Sequence, residues 1–361
     1  MKKNKVIDSH VHISMDFPLT ETEKGFRWFM EAGGVERINF LALNAHTFFQ
    51  ETQLDNSKCL YLKSIFAPNG YAGYCLDYSK PNTADGFEEQ IKLAYKAGFD
   101  CWKIIEAKPN SQGVWKHRVD DEIYEKAFAF AEEKHFPIIV HVGDPIGMWD
   151  NEYKEGYLKK EEYQQQMLNV LERHPALIVT FAHFGFMCDK PEFVEDLFNK
   201  YKNVYFDNVP GPEEYFVIAK NPMPWKRIIE KYSDRYIFGT DRGNHGTKGF
   251  TKEEYLKTFP ETVTYETNML IKDGEYDGRH PYPGLEDHWG TVLYGLNLSD
   301  DAFNNIVYNN FIRIYGEPKP INYECLYEIA KYEFFLPSKS PFLKEDFELI
   351  KEECRKHGVK I

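Results

Sequence analysis

No stretch of the 361-residue chain is apolar for the ~18–20 residues that a membrane-crossing helix needs. The lysines at 2, 3 and 5 are followed by Val6-Ile7-Asp8-Ser9-His10, so no secretory core of ~7–15 apolar residues stands behind them. Six cysteines are scattered at 59, 75, 101, 188, 325 and 354 and form no C-x-x-C, which speaks against a zinc knuckle or a disulfide frame and for reduced thiols. Positive charge is short as well: 44 Lys and Arg against 57 Asp and Glu leave a formal charge of −13, and such a surface repels phosphate backbones. Neither an internal repeat nor a low-complexity linker is visible. These absences predict a cytoplasmic protein that engages neither membrane nor nucleic acid and acts on a small molecule; homo-oligomerisation is left open.

Hydrophobic residues at 42% and charged residues at 28% are ordinary for a globular chain. Short apolar runs alternate with amphipathic ones through the first two-thirds. Strands are predicted over Lys5–His12, Arg37–Leu43, Leu60–Ala67, Phe99–Ile105, Pro137–Val142, Leu177–Ala182, Val204–Asn208 and Tyr236–Thr240. Helices are predicted over Thr20–Glu31, Ala84–Ala97, Asp120–Lys134, Lys160–Arg173, Pro191–Tyr201 and Trp225–Tyr232. Thr20 and Glu23 have capping-box spacing, and Gly98 stands where a left-handed cap is expected. Eight strand–helix units predict a (β/α)8 TIM barrel.

After the eighth strand the pattern breaks. Residues 242–287 read as a long loop insertion, a candidate lid, with a short helix near Lys252–Thr258. Helical patterns resume at Asp287–Leu296 and at Asp300–Tyr315, the latter capped by Ser299. Two further helices, Asn322–Phe334 and Pro341–His357, form a helical C-terminal extension. The expected division is a barrel over 1–316 and an extension over 317–361 packed on it.

Residues that carry chemistry gather at strand ends. On the first strand Asp8, His10 and His12 share one face, because side chains alternate. Two histidines at i and i+2 can converge on one cation, and imidazole suits zinc, iron, nickel or copper. Strand five ends in His141-Val142-Gly143-Asp144, strand six in Ala182-His183-Phe184-Gly185, and strand eight in Gly239-Thr240-Asp241-Arg242. Any one is explained by a buried polar residue satisfied by backbone; four such endings together point to a metal site at the barrel mouth.

As a set, Ile-Asp-Ser-His-Val-His at 7–12, His141, Ala-His-Phe-Gly at 182–185 and Gly-Thr-Asp at 239–241 resemble the amidohydrolase superfamily. The branch most similar is the amidohydrolase-2 group of metal-dependent hydrolases and decarboxylases, which includes aminocarboxymuconate-semialdehyde decarboxylase. Asn310-Phe311-Ile312-Arg313-Ile314-Tyr315-Gly316 is similar to that group's last helix, so the likeness spans about 6 to 316. The resemblance implies one divalent transition metal, zinc first and manganese or iron as alternatives, held by His10, His12, His141 and Asp241. It assigns Asp241 and His183 to catalysis. It also implies a hydrolase of amidohydrolase type, with a non-oxidative decarboxylase on the same residues as the alternative.

Lys103 on strand four is read either as a carboxylated bridge between two metals or as a cation paired with substrate or Asp241; the branch's single metal favours the second. Asp8 either orients one of the histidines or has a structural role below the metal. Substrate contacts are expected from Arg242, Lys103, Trp149 and Asn208, with Tyr153 beside Trp149 as an apolar wall. Arginine suits bidentate carboxylate binding, so an anionic substrate is expected. His245, His280 and His288 are read as loop residues.

Overall fold

Eight strands alternate with helices in the structure, a computed structural model that describes residues 5–13, 17–43, 55–145, 147, 157–209, 212–242, 252–281, 286–336, 340 and 342–361. The strands are β1 (Val6–His12), β2 (Val35–Leu41), β3 (Gly70–Tyr74), β4 (Cys101–Ala107), β5 (Ile138–Val142), β6 (Val179–Phe181), β7 (Val204–Asp207) and β8 (Tyr236–Ile237). They lie side by side in chain order in one sheet. Ser9 N donates to Phe238 O, joining β1 to the end of β8, and the architecture is the (β/α)8 barrel that the alternation predicts. Every side chain of β1 and β4 is buried, as expected of strands covered on both faces.

The residues form two compact units, one of Met1–Val11, Gly25–Ile38 and Thr180–Gly316, the other of His12–Lys24, Asn39–Val179 and Glu317–Ile361. In the second unit the helix Asn56–Ile65 meets the C-terminal helices Tyr323–Phe334 and Leu343–Lys356 through buried acids. Glu333 accepts from Ser57 N at 3.1 Å, Asp346 pairs with Lys58 at 2.9 Å, and Glu353 accepts from Ser64 Oγ at 2.6 Å. Asp100, also buried, accepts from Lys63 Nζ at 2.7 Å, Ala72 N at 2.9 Å and Lys319 N at 2.9 Å. Lys63→Met strands this carboxylate without its counter-charge. A loss of about 3–5 kcal/mol is expected in urea-induced unfolding, against near-wild-type values if the pair contributes only geometry.

Several predicted elements are corrected. Leu60–Ala67 is no strand: its first residues belong to the helix Asn56–Ile65, buried on nearly every side, where periodicity cannot separate helix from strand. The third strand is the glycine-rich Gly70–Tyr74. A Cβ at Gly73 would stand 2.5 Å from Leu41 Cδ2 and 2.9 Å from Cys101 Sγ, so close packing selects a residue with no strand preference. Residues 287–296 are not helical; β10 (Val292–Leu296) pairs antiparallel with β9 (Asp273–Asp277), whose acidic composition hides it. The helix near Lys252 continues to Ile271, through Pro260. The first helix starts at Leu19, so Thr20 lies inside it and does not cap it. Helices Pro109–Trp115 and Pro212–Lys220 were not anticipated. Gly98 is left-handed at φ 96°, and the Ser299 side chain caps by accepting from Ala302 N, both as expected.

Candidate metal centre

The fully buried β1 sets the first two groups. His10 Nδ1–H donates to Asp207 Oδ2 at 2.8 Å, and His12 Nδ1–H donates to Leu41 O at 2.9 Å. A proton fixed on each Nδ1 leaves the lone pair of each ring on Nε2, the state in which neutral imidazole binds a cation. Ligand atoms of His10, His12 and Asp241 lie within 4.8 Å of one another, with His10 Nε2 at 3.4 Å from Asp241 Oδ1. Two imidazole nitrogens and a carboxylate are a donor set suited to zinc or another divalent transition metal, so these residues fit the ion.

Backbone strain marks the two other groups. His183 has φ 57°, and Phe184, Phe186 and Asp241 are also left-handed, at 51°, 51° and 49°. Such conformations are costly for residues with side chains and persist where the surroundings enforce them. Around His183 the enforcement is visible: its backbone N donates to Asp207 Oδ1 at 2.6 Å, and its Nδ1–H donates to Val209 O at 2.7 Å. Its ring stands 5.2 Å from that of His10 and stacks on Phe186. Asp241 keeps 33% of its side chain exposed, whereas the His10 side chain is fully buried, so the aspartate is the member of the set that meets incoming molecules.

Asp207 is the residue that sequence reasoning missed. One carboxylate orients the His10 ring through Oδ2 and the His183 backbone through Oδ1. An acid ending an apolar strand was the available signal, but attention fell on Asn208 beside it. Asn208 is buried; its N donates to Ile237 O at 2.9 Å and its O accepts from Tyr215 Oη at 3.0 Å. Its side-chain amide has no hydrogen-bond partner among the described residues. Asp8 accepts from Thr240 Oγ1 at 2.6 Å, Thr240 N at 3.1 Å and His10 N at 3.1 Å. It therefore ties β1 to the end of the eighth strand, and burial pushes its carboxyl up to about 7.

The remaining expected residues are placed as follows. His141 lies on β5 outside the three-residue cluster, its Nε2 at 3.1 Å from Asp144 Oδ1 and 3.2 Å from Lys108 Nζ. Lys103 is buried on β4 and pairs in register with Ile139, two residues short of His141, so it sits one side-chain layer deeper than that histidine. Arg242 is buried; its Nη2 donates to Thr258 O at 2.8 Å on the helix Lys252–Ile271. Nearby His280 is held down to about 3 by burial and by the Arg242 charge, and Glu266, which accepts from Tyr215 Oη, is raised well above the usual carboxylate range by burial. His288 is exposed and edge-on to Trp289. Trp149, Tyr153 and His245 lie outside the described residues.

A family model described as amidohydrolase matches residues 7–316. Among curated proteins no match is found. Among solved structures the chain is similar to an uncharacterized TIM-barrel protein from Bordetella bronchiseptica, with 15% identity and a TM-score of 0.56 over 86% of this chain and 98% of that one. It is also similar to a putative 2-pyrone-4,6-dicarboxylic acid hydrolase from Pseudomonas putida (12% identity, TM-score 0.51, 86% and 97% covered). A third is 5-carboxyvanillate decarboxylase from Sphingomonas paucimobilis (10% identity, TM-score 0.50, 86% and 98% covered). At these identities the likeness is one of fold.

Proposed function

Because the chain belongs to the amidohydrolase family, whose model spans most of it, we propose that this enzyme is a single-metal hydrolase of a small carboxylate-bearing molecule. The observation that carries the reading is the convergence of His10, His12 and Asp241, with His183 packed against His10. We assign the ligand set to His10, His12, His141 and Asp241, and zinc as the ion, with manganese or iron as substitutes. When bound, such a cation supplies Lewis acidity and makes water a far stronger acid, with a pKa lowered to about 7.

The chain's own groups do the rest. Asp241, partly exposed, accepts and holds a proton at its carboxylate. His183 commits Nδ1–H to Val209 O, so Nε2 is the atom that takes up a proton or returns it to a leaving group. Asp207 keeps both histidines in register and is itself buried. Lys103 and Arg242 supply positive charge for an anionic substrate, and Trp149 and Asn208 complete the proposed contacts.

Screening the purified protein for ester or lactone hydrolysis and for CO2 release tests the assignment. Hydrolysis of a carboxylate-bearing substrate is the expected result; CO2 release without hydrolysis replaces it with a non-oxidative decarboxylase on the same residues. Arg242→Met is expected to lower kcat/KM roughly ten- to a hundredfold on the anionic substrate, the effect of one lost charge-assisted contact, and to spare a neutral analogue. Equal losses on both would make Arg242 a scaffold residue that holds Thr258.

A further inference from the structure

The chain that follows β8 turns a polar face toward the strand ends beside Asp241. On the helix Lys252–Ile271 the buried Thr258, Thr262, Tyr265 and Glu266 fall on one side at helical spacing. Such a face ordinarily buries apolar residues, so a polar one needs partners. Some are present: Arg242, next to Asp241, donates to Thr258 O, and Tyr215 Oη–H is shared between Glu266 Oε2 and the backbone O of Asn208 at the end of β7. Other groups remain over. Tyr265 Oη, Tyr276 Oη on β9 and both ends of the Asn208 side-chain amide are buried with no hydrogen-bond partner among the described residues. Tyr265 and Asn208 are 5% and 1% exposed. The two phenols lie within electrostatic reach of each other, of Glu266 and of Tyr215, the residue that touches Asn208. The ring of His280 stands edge-on to Tyr265 and to Trp289, with centroids 5.1 and 5.2 Å away.

A buried hydroxyl or amide without a partner is costly, and folded proteins meet such groups with ordered water or with ligand. A water oxygen has about two acceptor sites and a carboxylate about four, so two phenols and an amide, all able to donate, suit the carboxylate better. The local field favours it too: beyond burial, which disfavours the charged forms of Glu266 and His280, both groups feel the positive charge of Arg242. We propose that Tyr265, Tyr276 and Asn208 form a subsite for a substrate carboxylate remote from the bond that reacts, with the two tyrosines as the specificity-determining residues. Hydrolysis of an ester or lactone held there by its carboxylate adds water across the acyl–oxygen bond and leaves a dicarboxylate product. The reaction assigned to the site rests on the metal-hydrolase reading; the carboxylate subsite does not.

Malonate, succinate, glutarate and adipate therefore serve as product-like probes, titrated calorimetrically into the purified protein before and after chelation. The wild-type protein is expected to bind at least one of them. Tyr265→Phe and Tyr276→Phe are each expected to weaken the tightest probe roughly ten- to a hundredfold, with or without metal, the effect of one lost hydrogen bond to a charged group. Neither variant is expected to melt at a lower temperature, because each removes a polar atom that the protein itself leaves unpaired. A lowered Tm with unchanged probe affinity would mark the hydroxyls as structural and overturn the subsite. So would unchanged affinity in both variants, or a wild-type protein that binds none of the probes. Protein without stoichiometric metal that still loses probe affinity on Tyr265→Phe would sink the metal-hydrolase reading and keep the subsite.

Discussion

His10→Ala is expected to lose bound metal and turnover together. The substitution removes one of three converging donors and the partner of Asp207, leaving that buried carboxylate with the His183 backbone N–H but no imidazole. Of the four proposed ligands three then remain, but only His12 and Asp241 of the converging cluster are among them, and metal affinity is expected to fall below what survives purification. Elemental analysis and kinetics on the same preparation check this, with circular dichroism to establish folding. A folded variant that keeps stoichiometric metal would remove His10 from the ligand set.

His183→Asn should behave differently. Asparagine can still donate to Val209 O, and the backbone bond to Asp207 is untouched, so the metal is expected to stay. What disappears is the titratable Nε2. General acid–base groups contribute ~10²–10⁴-fold, and a fall in kcat of that order is expected with little change in metal content. A loss below tenfold contradicts the assigned role, and loss of metal from this variant moves His183 into the ligand shell.

These two outcomes separate binding from chemistry because the groups sit on different scaffolds, and that distinction is only half legible in the sequence. Alternation on the first strand put His10 and His12 on one face, and strand ends at 183 and 241 were readable as chemistry at a barrel mouth. The agents that orient them were not. Asp207 meets His10 across 197 positions, a contact that no local period encodes. Lys108 passed unnoticed in favour of Lys103, because the register shift that carries Lys108 to His141 is a property of paired strands and not of either alone. Elements set by their own period and caps, such as Ala84–Ala97 and Lys160–Arg173, were read to the residue. The third strand failed for the opposite reason: its Gly73 is chosen by Leu41 and Cys101 pressing on it, and its Gly70 by Lys63 and Phe66. Arg242 was read as an anion binder from its place after Asp241, and its hydrogen bond to Thr258 O, sixteen positions on, is one that no local pattern encodes.

The central claim, one catalytic metal held by strand-end histidines and Asp241, is met most directly by elemental analysis of the purified wild-type protein before and after chelation. About one divalent transition metal per chain is predicted, with activity lost on its removal and restored by added zinc. Protein that carries no stoichiometric metal and keeps its full activity in the presence of chelator would contradict the claim.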